Sequence, residues 1–239
     1  MAFDRVRTVL FDAGNTLVHL DYAFIADLLA SHGQAHTPLE IRRAEYTAKA
    51  AIDAAMAPGL RPQQLMWPTA SAPKPSYFEV ALEALGVPAG ERPPILDALH
   101  AHNRADCLWR VVEPDTHAVL RGLVERGFTL GVVSNADGRI EGDLGRLGLA
   151  SHFGTVVDSH VVGVEKPDPR IFALALERLG AEAASAVYVG DVFAIDVLGA
   201  RRAGLRAVLV DVLGCYPGPV DGPRIRALGE LLELLPAAA

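Results

Sequence analysis

Short apolar runs and stretches of helical period alternate through the second half of the chain, while the first part is helical after one opening run. Residues 6–11 (Val-Arg-Thr-Val-Leu-Phe) are apolar and β-branched, and they end in Asp12-Ala13-Gly14-Asn15-Thr16. That pattern reads as a buried strand feeding a turn. From about residue 22 to residue 106 the pattern is helical, with almost no strand signal. Phe24, Ile25, Leu28 and Leu29 share a helical face, with Gly33 as a stop. Thr37-Pro38-Leu39-Glu40 predicts an N-cap with proline at the first helical position, opening a helix to about Met56. A proline-rich bridge follows (Pro58, Pro62, Pro68, Pro73, Pro75), then helices near residues 76–85 and 94–103.

After Pro114 strands and helices take turns. Helices near 115–126, 138–147, 169–179 and 194–203 separate apolar runs at 128–133, 155–157, 186–189 and 207–210. Strands alternating with helical stretches of this length mean βαβ units and a parallel sheet. Their near-continuous hydrophobicity fits burial on both faces. The chain therefore predicts an α/β fold: a doubly wound, Rossmann-like parallel-sheet core carrying an inserted α-helical cap. The expected division is residues 1–18 and 106–239 for the core, and 19–105 for the cap.

Composition narrows the function classes. The 239 residues are 51% hydrophobic and 21% charged, with a formal net charge of -7. This suits a globular protein and argues against binding nucleic acid through bulk electrostatics. Two cysteines, Cys107 and Cys215, do not make a disulfide framework and suit a reducing compartment. No apolar run is long enough to span a bilayer and no signal peptide is evident, so the expectation is a cytoplasmic protein without membrane partners. The chain carries no readable oligomer interface. Its 22 basic residues include three lysines, Lys49, Lys74 and Lys166, which makes each worth locating.

The strand ends carry the chemistry. In open parallel sheets ligands bind beyond the carboxyl ends of the strands. Those ends hold Asp12, then Ser134-Asn135, then a segment leading to Lys166, then Asp191 with Asp196 five residues on. Three carboxylates in one crevice repel one another and need an offsetting charge. A hard divalent cation supplies it, and Mg²⁺ is the usual choice where phosphate is also bound.

Four segments together resemble the haloacid dehalogenase-like hydrolase superfamily, subfamily I, with a helical cap after the first motif. They are Phe11-Asp12-Ala13-Gly14-Asn15-Thr16-Leu17, Val132-Val133-Ser134-Asn135, Gly163-Val164-Glu165-Lys166-Pro167-Asp168-Pro169, and Val189-Gly190-Asp191-Val192-Phe193-Ala194-Ile195-Asp196. The resemblance covers nearly the whole chain. It implies a phosphatase-type hydrolase of a small phosphorylated metabolite, with Asp12 as a nucleophile that forms an aspartyl-phosphate. It further implies Mg²⁺ held by Asp12, the Gly14 carbonyl and Asp191, with Asp196 binding directly or through water. Lys166 would hold the phosphoryl oxygens and the nucleophile, while Ser134, with Asn135 and the N–H groups beside it, would complete the phosphate cradle.

One position departs from that pattern. Phosphatases of the family usually carry a second Asp two residues after the nucleophile, to protonate the leaving alkoxide; here it is Gly14. A substrate with a good leaving group, an acid from the cap, or a different reaction would answer the departure, and His19 is the nearby side chain able to donate a proton. Dehalogenases and phosphonatases of the family also lack that Asp, so they stay as alternatives, as does a catalytically weak phosphate-binding or regulatory protein. Retention of Asp191 and Asp196 argues against a metal-free dehalogenase. A phosphonatase needs a cap lysine, for which Lys49 is the candidate, although a lone helical lysine reads first as a solvated surface residue.

Several other residues have plainer readings. Asp168 reads as a helix cap. His100 and His102 read as surface or partly buried histidines, since residues two apart on a helix diverge. Trp67, Tyr77, Phe78 and Trp109 read as packing. Arg110 stands where the chain returns to the core and is a candidate to face the crevice.

Overall fold

The structure is a computed structural model that describes residues 3–56, 77–216 and 221–237. The proline-rich bridge, with Trp67 and Lys74, lies outside the described residues. The strands are β1 (Thr8–Phe11), β2 (His19–Leu20), β3 (Trp109–Val111), β4 (Thr129–Ser134), β5 (Thr155–Asp158), β6 (Ala186–Gly190), β7 (Arg206–Val210) and β8 (Arg224–Ile225). Six of them form one sheet in the order β5-β4-β1-β6-β7-β8, with every neighbouring pair parallel. Strand order reverses at β1 and β6, and a crevice opens at such a reversal.

The register sets which residues reach that crevice. Phe11 lies level with Val132 on one side and Val189 on the other. Asp12 is one residue past that level, Ser134 and Asp191 two. All of β1 and β6 is buried, as their near-continuous hydrophobicity predicts.

The helices covering this sheet follow from local sequence. Pro169–Leu179 begins on Asp168, whose side chain accepts from the Arg170 N–H, carries proline at its first turn, and ends on Gly180 in the left-handed conformation. Its apolar side buries Ile171, Phe172, Ala175 and Leu176. They pack in one core with Leu10, Tyr188, Val197 and Leu209. Burying Ile171, Phe172 and Leu176, the three large side chains of that set, contributes on the order of 5 to 9 kcal/mol before conformational entropy is counted. The predicted helix over 194–203 proves to be two pieces, a π-helical turn at Phe193–Val197 and an α-helix at Leu198–Arg202. Three short strands escaped the sequence reading, β2, β3 and β8. Two or three residues are too few to show a period.

The chain separates into two compact units, Met1–His19 with Arg110–Ala239, and Leu20–Trp109. The second is the inserted helical region. It comprises the helices Tyr22–Ser31, Pro38–Met56, Tyr77–Ala84 and Arg92–Ala105 and a short 3₁₀ turn. Thr37 and Glu40 form a reciprocal cap at the start of the long helix, the Thr37 N–H donating to Glu40 and the Glu40 N–H to the Thr37 hydroxyl. The region has its own core of Leu20, Ile25, Leu29, Phe78, Ile95 and Leu99, against which Tyr77 and Trp109 pack. The Phe78 and Trp109 rings lie 5.7 Å apart, so these aromatics are packing residues, as read. His102 stacks on Phe24 at 3.8 Å and is partly buried, while His100 is exposed.

Candidate active site

Asp12 leaves β1 with its N–H donating to the Val189 carbonyl at 2.8 Å, so the sheet ladder itself fixes the carboxylate's root. The next residues fold back tightly: the Leu17 and Val18 N–H groups both donate to the Ala13 carbonyl. Asn15 takes a left-handed φ of 56°, a conformation that asparagine tolerates better than most residues. Gly14 lies inside this turn.

Lys166 is 2% exposed, and its ammonium sits at the centre of the site. Nζ donates to Asp12 Oδ1 at 2.6 Å, to Asp196 Oδ1 at 2.8 Å and to the Tyr188 hydroxyl at 2.9 Å. A lysine has three N–H donors, and these partners take all three. Burial disfavours the charged amine, but Asp12 and Asp196 more than offset it and hold Lys166 above its ordinary pKa. Asp12 goes the other way for a carboxylate. Burial pushes it up to about 6, with Lys166 opposing and Asp196 adding to the rise.

Asp196 is 1% exposed, and both its oxygens are engaged. Oδ1 accepts from Lys166, while Oδ2 accepts from the backbone N–H groups of Asp191 and Val192 at 3.0 and 2.9 Å. It therefore braces both the ammonium and the loop that carries Asp191. Gly190 makes room for it: a Cβ there would lie 2.5 Å from the Asp196 carboxyl carbon. Asp196, expected to bind metal directly or through water, thus also has a bracing place. Even so, its carboxylate lies with those of Asp12 and Asp191 in a group whose oxygens are all within 4.8 Å.

Three carboxylates against one ammonium leave two formal negative charges. At that spacing each like-charged pair costs on the order of 3 kcal/mol at an effective dielectric of about 20. The donor set is all hard oxygen, which fits a divalent cation such as Mg²⁺.

Ser134 ends β4 and is 5% exposed. The turn after it is tied down by Asp158 at the end of β5, whose carboxylate accepts from the Gly138 and His160 N–H groups, both at 2.9 Å. Asn135 has a role that the sequence did not show. Its side chain donates to the Lys166 carbonyl at 2.9 Å and accepts the Lys166 N–H at 2.7 Å. The amide thereby holds the Lys166 backbone in place beside the end of β4. The Lys166–Pro167 peptide beside it is cis.

Two further expectations meet the structure here. His19 is buried, with Nε2 4.0 Å from Glu113 Oε1. Lys49 is not the solvated residue its helical position suggests. It is 2% exposed, with Nζ 3.5 Å from the Tyr46 ring centroid. Tyr188 went unnoticed in the sequence, although a single hydroxyl inside an apolar strand was a signal. It donates to the Val133 carbonyl at 2.8 Å while accepting from Lys166, and burial, then Asp196 and Asp12, hold its hydroxyl well above the usual tyrosine range.

A family model described as a haloacid dehalogenase-like hydrolase matches residues 6–204. The chain belongs to the haloacid dehalogenase-like hydrolases. It is 39% identical over 159 residues to haloacid dehalogenase-like hydrolase domain-containing protein 3 of Mus musculus, covering 64% of this chain and 61% of that protein. It is 37% identical over 164 residues to a phosphoserine phosphatase of Thermus thermophilus, covering 68% and 64%. The matched stretch thus spans about three fifths of the length of these curated relatives. Among solved structures it is similar to a 2-haloacid dehalogenase from Pseudomonas syringae, with a TM-score of 0.53 at 25% identity over 96% of this chain and 97% of that one. One fold thus hosts chemistry at phosphorus and at carbon, and the site must decide between them. Among the described residues no helix is long and apolar enough to cross a membrane.

Proposed function

We propose that this hydrolase is a Mg²⁺-dependent phosphatase acting on a small phosphorylated metabolite, with Asp12 as nucleophile. The observation that carries the reading is the meeting of Asp12 Oδ1 and Lys166 Nζ at 2.6 Å inside a group of three buried carboxylates. One oxygen of Asp12 attacks phosphorus as the bond from phosphorus to the leaving oxygen breaks, giving an aspartyl-phosphate and a free leaving group. Water then attacks that phosphorus and returns Asp12 as a carboxylate with release of phosphate. Asp12, the Gly14 carbonyl and Asp191 would hold the cation, with Asp196 behind them. When bound, Mg²⁺ offsets the repulsion between Asp12 and the phosphoryl oxygens. With its three N–H groups engaged, Lys166 acts on the arriving phosphoryl group chiefly as a positive charge, while Ser134 offers a hydroxyl at the neighbouring strand end. The helical unit Leu20–Trp109 is the cap in this reading, and it supplies the substrate choice.

Gly14 shapes the substrate class. A carboxyl general acid typically contributes about 10² to 10⁴ in rate, and a glycine provides none. The site therefore favours leaving groups that depart without a proton, such as those of acyl and aryl phosphates. A displacement at carbon through the same Asp12 is the second reading, supported by Gly14 and by the haloacid dehalogenase similarity. A site that works without metal gains little from two more buried carboxylates.

The test is initial rates on aryl, acyl and alkyl phosphates, with Mg²⁺ or EDTA, for native protein and Asp12→Asn. The expected result is Mg²⁺-dependent turnover, faster on aryl and acyl than on alkyl phosphates and lost in the variant. Turnover of a haloacid that survives EDTA, with none on any phosphate, would overturn the proposal.

A further inference from the structure

Beyond the four motifs, one side chain reaches into the loop that carries Asp191. β7 ends at Val210, and Asp211, fully buried, follows it. The Asp211 carboxylate gathers the next turn: the Cys215 N–H donates to Oδ1 at 2.8 Å, while the Tyr216 N–H and Arg224 donate to Oδ2 at 3.4 and 3.5 Å. Arg224, from β8, also donates to the Tyr216 carbonyl at 3.1 Å. The Tyr216 ring packs against the sheet's core. Held in this way, its hydroxyl donates to the Asp191 carbonyl at 3.0 Å and accepts from the Phe193 N–H at 3.1 Å.

Asp191 is thus gripped from both sides of its backbone. Its N–H is taken by Asp196 and its carbonyl by Tyr216. Two restraints on one residue fix the root of its side chain before any ligand arrives. A ligand side chain held ready loses less freedom on binding, so its cation is bound more tightly.

We infer that Tyr216 is a positioning residue for the divalent cation, setting the Asp191 loop through its hydroxyl and anchored in turn by Asp211. The inference rests on the reading of Asp12 and Asp191 as cation ligands. It extends the machinery to a turn between β7 and β8 that the motifs do not reach.

Tyr216→Phe removes the hydroxyl and keeps the packed ring. Mn²⁺ binding, followed by electron paramagnetic resonance on the full chain, reads the effect without turnover. The variant should bind Mn²⁺ about five- to tenfold more weakly than native protein. The Mg²⁺ concentration for half-maximal aryl phosphate turnover should rise by the same factor, with little change in the substrate KM. Asp211→Asn should shift Mn²⁺ affinity in the same direction by a smaller factor, which gives a second reading if the Phe variant folds poorly. Native-like Mn²⁺ affinity in a folded variant of both kinds would overturn the role of Tyr216 and leave the cation site standing. Failure of native protein to bind Mn²⁺ at all would overturn the site and this inference together.

Discussion

Each unit of the molecule buries a cluster of charge, and the two are built in opposite ways. In the sheet-bearing unit the cluster is assembled from remote parts of the chain: Lys166 meets Asp12 across 154 positions and Asp196 across 30. In the helical unit Glu45, Lys49 and Asp53 lie four apart along one helix, all of them buried. Glu45 accepts from the hydroxyls of Tyr22 and Tyr77, and burial, together with Glu45, drives the Tyr22 pKa far upward. Lys49 lies over the Tyr46 ring. The first cluster carries an excess of two negative charges at strand ends, where ligands of open parallel sheets generally bind. In the second, Glu45 and Lys49 meet tyrosines of the helical unit. A buried cluster with two excess negative charges at strand ends points to chemistry, whereas the smaller excess of the tyrosine-lined cluster reads as structure.

Four variants or conditions would break or sharpen that contrast. The largest effect belongs to Asp12→Asn, which should lower turnover of an aryl phosphate by at least about a thousandfold, since it removes the proposed nucleophile while keeping its shape. Steady-state rates at saturating Mg²⁺ check it. Next, Gly14→Asp should restore a proton donor and raise turnover of alkyl phosphates by about a hundredfold, with a smaller gain on aryl phosphates. If the two substrate classes rise equally, the missing acid is not what limits the native enzyme.

Acidity gives the third effect. Burial pushes Asp12 up to about 6, so a proton would compete with a cation held there at lower pH. Metal affinity should stay flat above about pH 7 and fall by about tenfold for each unit below pH 6, as binding must then release a proton. Titration calorimetry at several pH values, in buffers of different ionisation enthalpy, measures both affinity and proton release. Last, Lys49→Met in the helical unit should cost about 1 to 2 kcal/mol in urea unfolding through its lost ring contact, while turnover falls by no more than about twofold. A loss of turnover with stability unchanged, or trapping of a substrate aldehyde on Lys49 by borohydride, would move that cluster from structure to chemistry.

The same contrast explains what could be read from the sequence. β1, β4, β6 and β7 were legible because a strand buried on both faces is apolar almost throughout, and the polar residues at the ends of β1, β4 and β6 mark the crevice. The helix start at Asp168-Pro169 was legible because capping is local. The partners of each charge were not. Nothing in the spacing of Asp196 says whether its carboxylate faces a cation or turns back to two backbone N–H groups. The one clue was Gly190, the residue whose missing side chain leaves room for it. Asn135 beside Ser134 looked equally fit to meet a phosphate, and only the fold reveals that its amide is matched to the Lys166 backbone. Tyr188 and Tyr216 lay among apolar and turn residues, where a hydroxyl's partner depends on strands far away in sequence. Lys49 was misread for the same reason: a helical lysine is exposed by default, and burial is decided by what packs on it.

The central claim is that Asp12 carries the phosphoryl group. The most direct measurement is acid quenching during turnover of an aryl phosphate, followed by peptide mass spectrometry. The account predicts a phosphoryl group on the peptide containing Asp12, located to that residue, and none in Asp12→Asn. Turnover at full rate with no phosphoryl group on Asp12 under conditions that preserve acyl phosphates, or undiminished turnover in the variant, would contradict it.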